Sequence, residues 1–174
     1  MITLGEAMAV LKQQALGIGE DHTQPAARQL VIELLCAPGR PVNSLFVEIP
    51  EGRQNMVEKA IAGWRTKGAD PVGLLDCVGI FRFDSQNCYT LPRVMATAIQ
   101  RGVYVYCIDD RFGNAGNRGN SARNQTIIDN FERITKGRVK GCVLLFGDDH
   151  FSNRADGPTL CQSISGMYYA KMCR

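Results

Sequence analysis

The chain alternates short continuous apolar runs with stretches in which apolar residues recur every three or four positions. Ala15-Leu16-Gly17-Ile18, Leu45-Phe46-Val47-Glu48-Ile49, Val103-Tyr104-Val105-Tyr106-Cys107-Ile108 and Val139 to Phe146 have strand length and are bounded by turn residues. Helical spacing fills the intervals. A helical start covers about Thr3 to Gln14, and Thr23 reads as the N-cap of a second helix with Pro25 just inside it. Ala27, Leu30, Val31 and Leu34 form that helix's apolar stripe, which stops at Pro38-Gly39. Met56, Val57, Ala60, Ile61 and Trp64 mark a third, and Val94 to Gln100 closed by Gly102 a fourth. Ile127, Ile128, Phe131 and Ile134 mark a fifth, with Gly137 as its stop. The stretch from Gly68 to Pro92 carries mixed signals. Gly113 to Asn120, rich in glycine and asparagine, reads as a loop that is mobile or wrapped around something. Alternation of this kind predicts one α/β domain over residues 1–174, with a mainly parallel sheet flanked by helices.

Composition narrows the class. A chain of 174 residues with 45% hydrophobic and 21% charged residues can bury a sizeable core. The net charge of +3 is mild and its basic residues are dispersed, so no nucleic-acid partner is expected. No apolar run approaches the ~20 residues of a membrane span. The N-terminus lacks the charged start and apolar stretch of a signal peptide, which predicts a cytoplasmic protein as synthesised, with export as an effector left open. Seven cysteines without a CxxC spacing read as mostly reduced thiols, Cys107 and Cys142 within apolar runs; a Cys161–Cys173 pair is the oxidising alternative.

The candidate chemistry lies at the strand ends. Both histidines of the chain close the same pattern, Gly19-Glu20-Asp21-His22 and Gly147-Asp148-Asp149-His150, each after an apolar run. In open α/β sheets ligands bind beyond the carboxyl ends of the strands. Glu20 and His22, Glu48, Asp109-Asp110-Arg111 and Asp148-Asp149-His150 are therefore expected on one rim. Two imidazoles with carboxylates can hold a divalent transition metal, which lowers the pKa of bound water and polarises a carbonyl. Without metal, one histidine acts as base, a carboxylate orients it and a second carboxylate acts as acid. Both versions point to a hydrolase. A P-loop, GxGxxG, GxSxG and HExxH are all missing from the sequence.

These residues carry a family resemblance. Gly17-Ile18-Gly19-Glu20-Asp21-His22, a following helix and Leu45-Phe46-Val47-Glu48 resemble the opening of the Tiki, erythromycin-esterase and ChaN-like superfamily. Arg123-Asn124 heading a helix, and a strand running into Gly147-Asp148-Asp149-His150, are similar to its later segment. The pieces cover residues 15–50 and 103–150. The resemblance implies Glu20, His22, Glu48, Arg123 and His150 as site residues, with His22, His150, Glu20 and Glu48 as the metal ligands if a metal is bound. It implies hydrolysis of a peptide or small ester or amide substrate. It also implies two alternatives, a non-enzymatic ChaN-like protein that binds haem and a toxin or effector domain that acts on a host partner. The paired acids before His150, the asparagine-rich loop and the absence of long helical insertions between Gly68 and Pro92 depart from the family pattern.

Plainer roles stand beside these. Glu20 can be an acid favoured at a helix start, Glu48 a solvated strand end, and Asp109-Asp110-Arg111 a salt-bridged turn. Arg123 can pair at its helix start, Trp64 and Tyr104/Tyr106 can be packing residues, and Tyr168-Tyr169 a partner surface.

Overall fold

The computed structural model describes residues 2–76, 87–110, 119–152 and 159–172. Five strands form one sheet, β1 (Ala15–Glu20), β2 (Ser44–Pro50), β3 (Tyr104–Asp109), β4 (Cys142–Gly147) and β5 (Met167–Lys171), in the order β3-β2-β4-β1-β5. Every pairing is parallel. The helices are α1 (Leu4–Leu11), α2 (Ala26–Cys36), α3 (Gln54–Lys67), α4 (Pro71–Leu75), α5 (Leu91–Gln100), α6 (Gly119–Thr135) and α7 (Leu160–Ser163).

A parallel sheet covered on both faces needs strands that are apolar on both sides, which is why these strands read as unbroken runs. Side chains alternate between two cores. Leu16, Ile18, Leu45, Val47, Val143 and Leu145 pack with α1 to α5. Phe46, Ile108, Leu144 and Phe146 pack with Ile127, Ile128 and Phe131 of α6 and Leu160 of α7. Phe46 is the centre of that second core, stacked on Tyr106 at 5.1 Å between ring centroids and edge-on to Phe131 at 4.8 Å.

Several local expectations change. Thr23 does not cap α2, because its hydroxyl and N–H are taken by Asp21 Oδ1 at 2.7 and 3.0 Å, and the helix starts after Pro25. The N-cap of α5 is Thr90, four residues before the predicted start. The strand expected from Val139 begins at Cys142, after Gly141 at φ 73°. β5 was not expected at all. Its Tyr169 is half-buried: the ring stacks on Phe151 at 4.9 Å and the hydroxyl donates to Asp148, while Tyr168 is exposed. Arg111, most of the asparagine-rich loop and Cys173 lie outside the described residues. Among those described, Cys36, Cys88, Cys107, Cys142 and Cys161 are free thiols, and no helix is long and apolar enough to cross a membrane.

Connections after β1 and β2 run over one face and those after β3 and β4 over the other. In open α/β sheets such a divergence at the carboxyl ends of the central strands is where ligands bind.

Candidate active site

Glu20 ends β1 with a side chain almost wholly withdrawn from solvent, whereas that of His22, two residues on, is 23% exposed. Glu20 Oε1 lies 2.7 Å from His22 Nδ1. A carboxylate only accepts, so the proton sits on Nδ1 and Nε2 is the basic nitrogen. Arg28 of α2, fully buried, holds the same carboxylate through Nε at 2.7 Å and Nη2 at 3.2 Å. Burial alone would raise the Glu20 pKa; the hydrogen bonds from His22 and Arg28 reverse this and hold it below its ordinary value. For His22 burial acts downward, but the hydrogen bond and charge of Glu20, with the charge of Glu48, leave its pKa raised.

Glu48 occupies an irregular stretch of β2. Between Val47 and Pro50 the chain advances three residues while β3 advances two, from Cys107 to Asp109. Such a bulge re-aims a side chain. Glu48 Oε2 accepts the Gly147 N–H at 2.7 Å, and Oε1 lies 2.7 Å from Arg123 Nη2 and 3.2 Å from His150 Nε2. Burial would raise the Glu48 pKa, but His150, Arg123 and Gly147 bring it down to about 2. His150 is buried, and its Nδ1 lies 2.6 Å from Asn124 Oδ1. One ring nitrogen thus faces Glu48 and the other the Asn124 side chain, so His150 orients Glu48 with both nitrogens engaged. His22 Nε2 is 3.9 Å from Glu48 Oε2.

Arg123 Nε donates to Asp109 Oδ1 at 2.7 Å, and its Nη2 contacts Asp109 Oδ2 as well as Glu48. Burial would lower its pKa, yet the two carboxylates raise it further. A guanidinium shared between two carboxylates supplies little net positive charge to a substrate, so Arg123 serves chiefly to tie β2, β3 and α6 together.

All five residues expected from the sequence, with Asp109, therefore meet in one connected network at the strand ends. Asp148, Asp149 and Asp110 do not enter it in the same way. Asp148 is held by Tyr169 and by Lys171 at 3.0 Å, against Gly19. Asp149 is exposed, and the Asp110 N–H donates to Asp109 Oδ1 at 2.7 Å. Three residues were missed. Arg28 lies beside the apolar stripe of α2, which is the one signal that could have exposed it. Asn124 stands next to Arg123, and Asn87 falls in the stretch that gave no clear pattern.

The donors do not form a ready metal cradle. Both oxygens of Glu20 and both of Glu48 are engaged by nitrogen donors, and a cation there would face Arg28 and Arg123. Among the described residues no group of three or more His, Cys, Asp or Glu side chains could hold a metal ion.

No family model matches the chain, and no curated protein matches it in sequence. Solved structures share its fold. The type III effector HopBA1 superposes with a TM-score of 0.67 at 18% identity, over 95% of this chain and 80% of its own. The C-terminal region of Pasteurella multocida toxin, which has a thiol-protease-like catalytic triad, matches with a TM-score of 0.68 at 11% identity. That match covers 98% of this chain and 24% of the other, so the present chain spans about a quarter of the solved toxin chain. At these identities the likeness is one of fold, shared with bacterial effector and toxin proteins.

Proposed function

We propose that the chain is an effector-type hydrolase of an amide or ester bond, with His22 as general base and Glu20 as the carboxylate that orients it. The observation that carries this reading is the dyad itself: a buried, charged glutamate at 2.7 Å from the Nδ1 of a solvent-reaching imidazole. A histidine so held keeps one tautomer and leaves Nε2, on the side of Glu48 and Gly147, as the basic nitrogen, the arrangement that general-base catalysis needs.

In the proposed reaction His22 Nε2 takes a proton from water as the water oxygen bonds to the substrate carbonyl carbon. The protonated ring then gives that proton to the departing amine or alcohol as the carbon–heteroatom bond breaks. Glu48 stabilises the imidazolium from 3.9 Å, and Arg123, His150 and the Gly147 N–H keep Glu48 charged and in place. The order of motifs similar to the Tiki and erythromycin-esterase superfamily supports hydrolysis. The likeness to HopBA1 supports an effector role, and a toxin whose C-terminal region has a thiol-protease-like triad is in keeping with hydrolysis.

The test is hydrolysis of an ester and peptide panel by the parent, His22→Ala and Glu20→Gln. Turnover lost in both variants, with folding kept by circular dichroism, is the expected result. Equal turnover in the parent and His22→Ala overturns the proposal.

A further inference from the structure

The Glu20–His22 pair belongs to a closed ring of hydrogen bonds. Starting from the His22 side chain, Nδ1 meets Glu20 Oε1 at 2.7 Å. Glu20 is gripped by the Nε and Nη2 of Arg28. The third nitrogen of that guanidinium, Nη1, donates to the Tyr89 carbonyl at 3.1 Å. The Tyr89 N–H donates to Asn87 Oδ1 at 2.9 Å. Asn87 Nδ2 donates to the His22 carbonyl at 3.2 Å and to the Gln24 carbonyl at 2.9 Å, which returns to the starting residue.

We infer that Asn87 and Arg28 are positioning residues for the Glu20–His22 dyad, closing it into a ring that fixes the tautomer and direction of the His22 imidazole. The inference rests on the reading of His22 as a base. His22 itself lies in a turn beyond the last residue of β1, where no strand pairing holds it. Glu20 can orient the ring only if the backbone of that turn stays in register with the strand end. Asn87 supplies this restraint by seizing two carbonyls of the turn, and Arg28 ties the Asn87 segment back to Glu20.

The residue types are specific to the task. The Asn87 amide gives both N–H groups to carbonyls and receives an N–H on its oxygen; reversing it would set oxygen against oxygen. An aspartate of the same shape would repel both carbonyls. A lysine at position 28 could not reach one carboxylate through two nitrogens and a carbonyl through a third. Arg28 is fully buried and Asn87 is 3% exposed, so both act through the dyad and not on a substrate.

With only two histidines in the chain, their ring nitrogens can be read separately by long-range proton–nitrogen NMR, His150 serving as internal control. At a pH above the folded pKa of His22, the parent is expected to show its Nδ1 protonated and its Nε2 unprotonated. Asn87→Ala and Asn87→Asp should both average the two His22 nitrogen shifts, leave His150 unchanged, and lower kcat by about tenfold or more with little change in KM. A space-filling role would instead leave the isosteric Asn87→Asp like the parent, and that result overturns the inference. So do parent-like His22 signals in Asn87→Ala. Arg28→Lys should behave as the Asn87 variants do; if it fails to fold, the Asn87 pair carries the test. Altered His22 signals in these variants, combined with undiminished hydrolysis by His22→Ala, would retain the positioning role and overturn the hydrolase reading alone.

Discussion

Arg123 and Glu48, 75 residues apart in sequence, meet at 2.7 Å where β2 and α6 converge on the strand-end crevice. Together with His150 and the Gly147 N–H, this contact holds a buried carboxylate charged. The pKa of Glu48 falls from 4.5 to about 2 on folding. A depressed carboxylate contributes stability that is fully present above its unfolded value and is lost as pH falls through its folded value. The window is therefore from about pH 4.5 down to about pH 2, and the contribution is on the order of 3 kcal/mol. Urea midpoints measured across that range should drop more steeply for the parent than for Glu48→Gln, which has no carboxylate to protonate there. Parallel curves for the two proteins would mean that Glu48 is not held in this way.

His22 moves in the opposite sense. Its folded pKa lies above 6.5, so its contribution to stability is fully present below 6.5 and is lost as pH rises through the folded value. Activity has the reverse dependence, because a general base works when neutral. The kcat/KM of the parent should rise with pH through an inflection above 6.5. Glu20→Gln removes the main upward influence and leaves burial, which lowers the pKa, so its inflection should shift to lower pH while the plateau rate falls. An inflection that stays in place in Glu20→Gln would separate the two residues functionally.

The histidines, Glu48 and Asp109 were legible because strand ends announce themselves: an apolar run stops, and the polar residues just past it must face the rim. Arg28 and Asn87 were not, because their roles depend on contacts across the fold. Asn87 reaches back 65 residues to the His22 carbonyl, and Arg28 reaches 61 forward to that of Tyr89. The error at Thr23 has a local cause. Asp21 competes for its hydroxyl and N–H, which turns a capping residue into part of a tight turn. β5 escaped because an edge strand buries less. Of Met167 to Lys171 only Ala170 is buried, so no apolar run marks it.

The saturation of Glu20 and Glu48 by nitrogen donors leads to a prediction about metals. A divalent cation bound by these carboxylates with His22 and His150 would have to displace Arg28 or Arg123 from partners at 2.7 Å. Breaking such a buried pair costs about 3–5 kcal/mol. Elemental analysis of the purified protein is expected to give well below one equivalent of zinc, manganese or iron. Turnover should survive chelation. One equivalent of metal, lost in a His22→Ala/His150→Ala double variant, would instead require the ion pairs to rearrange and would return the metal-dependent form of the hydrolase to first place.

Gly147 offers the most local probe of the site. Its backbone angles, φ −52° and ψ 141°, are open to any residue, so an alanine there introduces no backbone strain. The added methyl would lie 3.3 Å from Glu48 Oε2, tighter than an ordinary contact, and 3.4 Å from His22 Nε2, at the limit of one. The methyl or the groups around it would have to give way by a few tenths of an ångström. Glu48 is restrained by Arg123 and His150, so the movement should fall mainly on the more exposed imidazole. Since small misplacements of a catalytic group can cost up to about a hundredfold in rate, Gly147→Ala should lower kcat by about tenfold or more. Its melting temperature should stay close to the parent's, since the adjustment is small and adds no backbone strain. Gly19→Ala provides the contrast. Its methyl would sit 2.8 Å from Asp148 Oδ1 and 3.0 Å from the Tyr169 hydroxyl, inside the packed junction of β1, β4 and β5, and overpacking there should destabilise by about 1–3 kcal/mol. Rate loss without stability loss in Gly147→Ala, set against stability loss in Gly19→Ala, would locate the reacting centre beside Gly147. Full activity in Gly147→Ala would move it elsewhere.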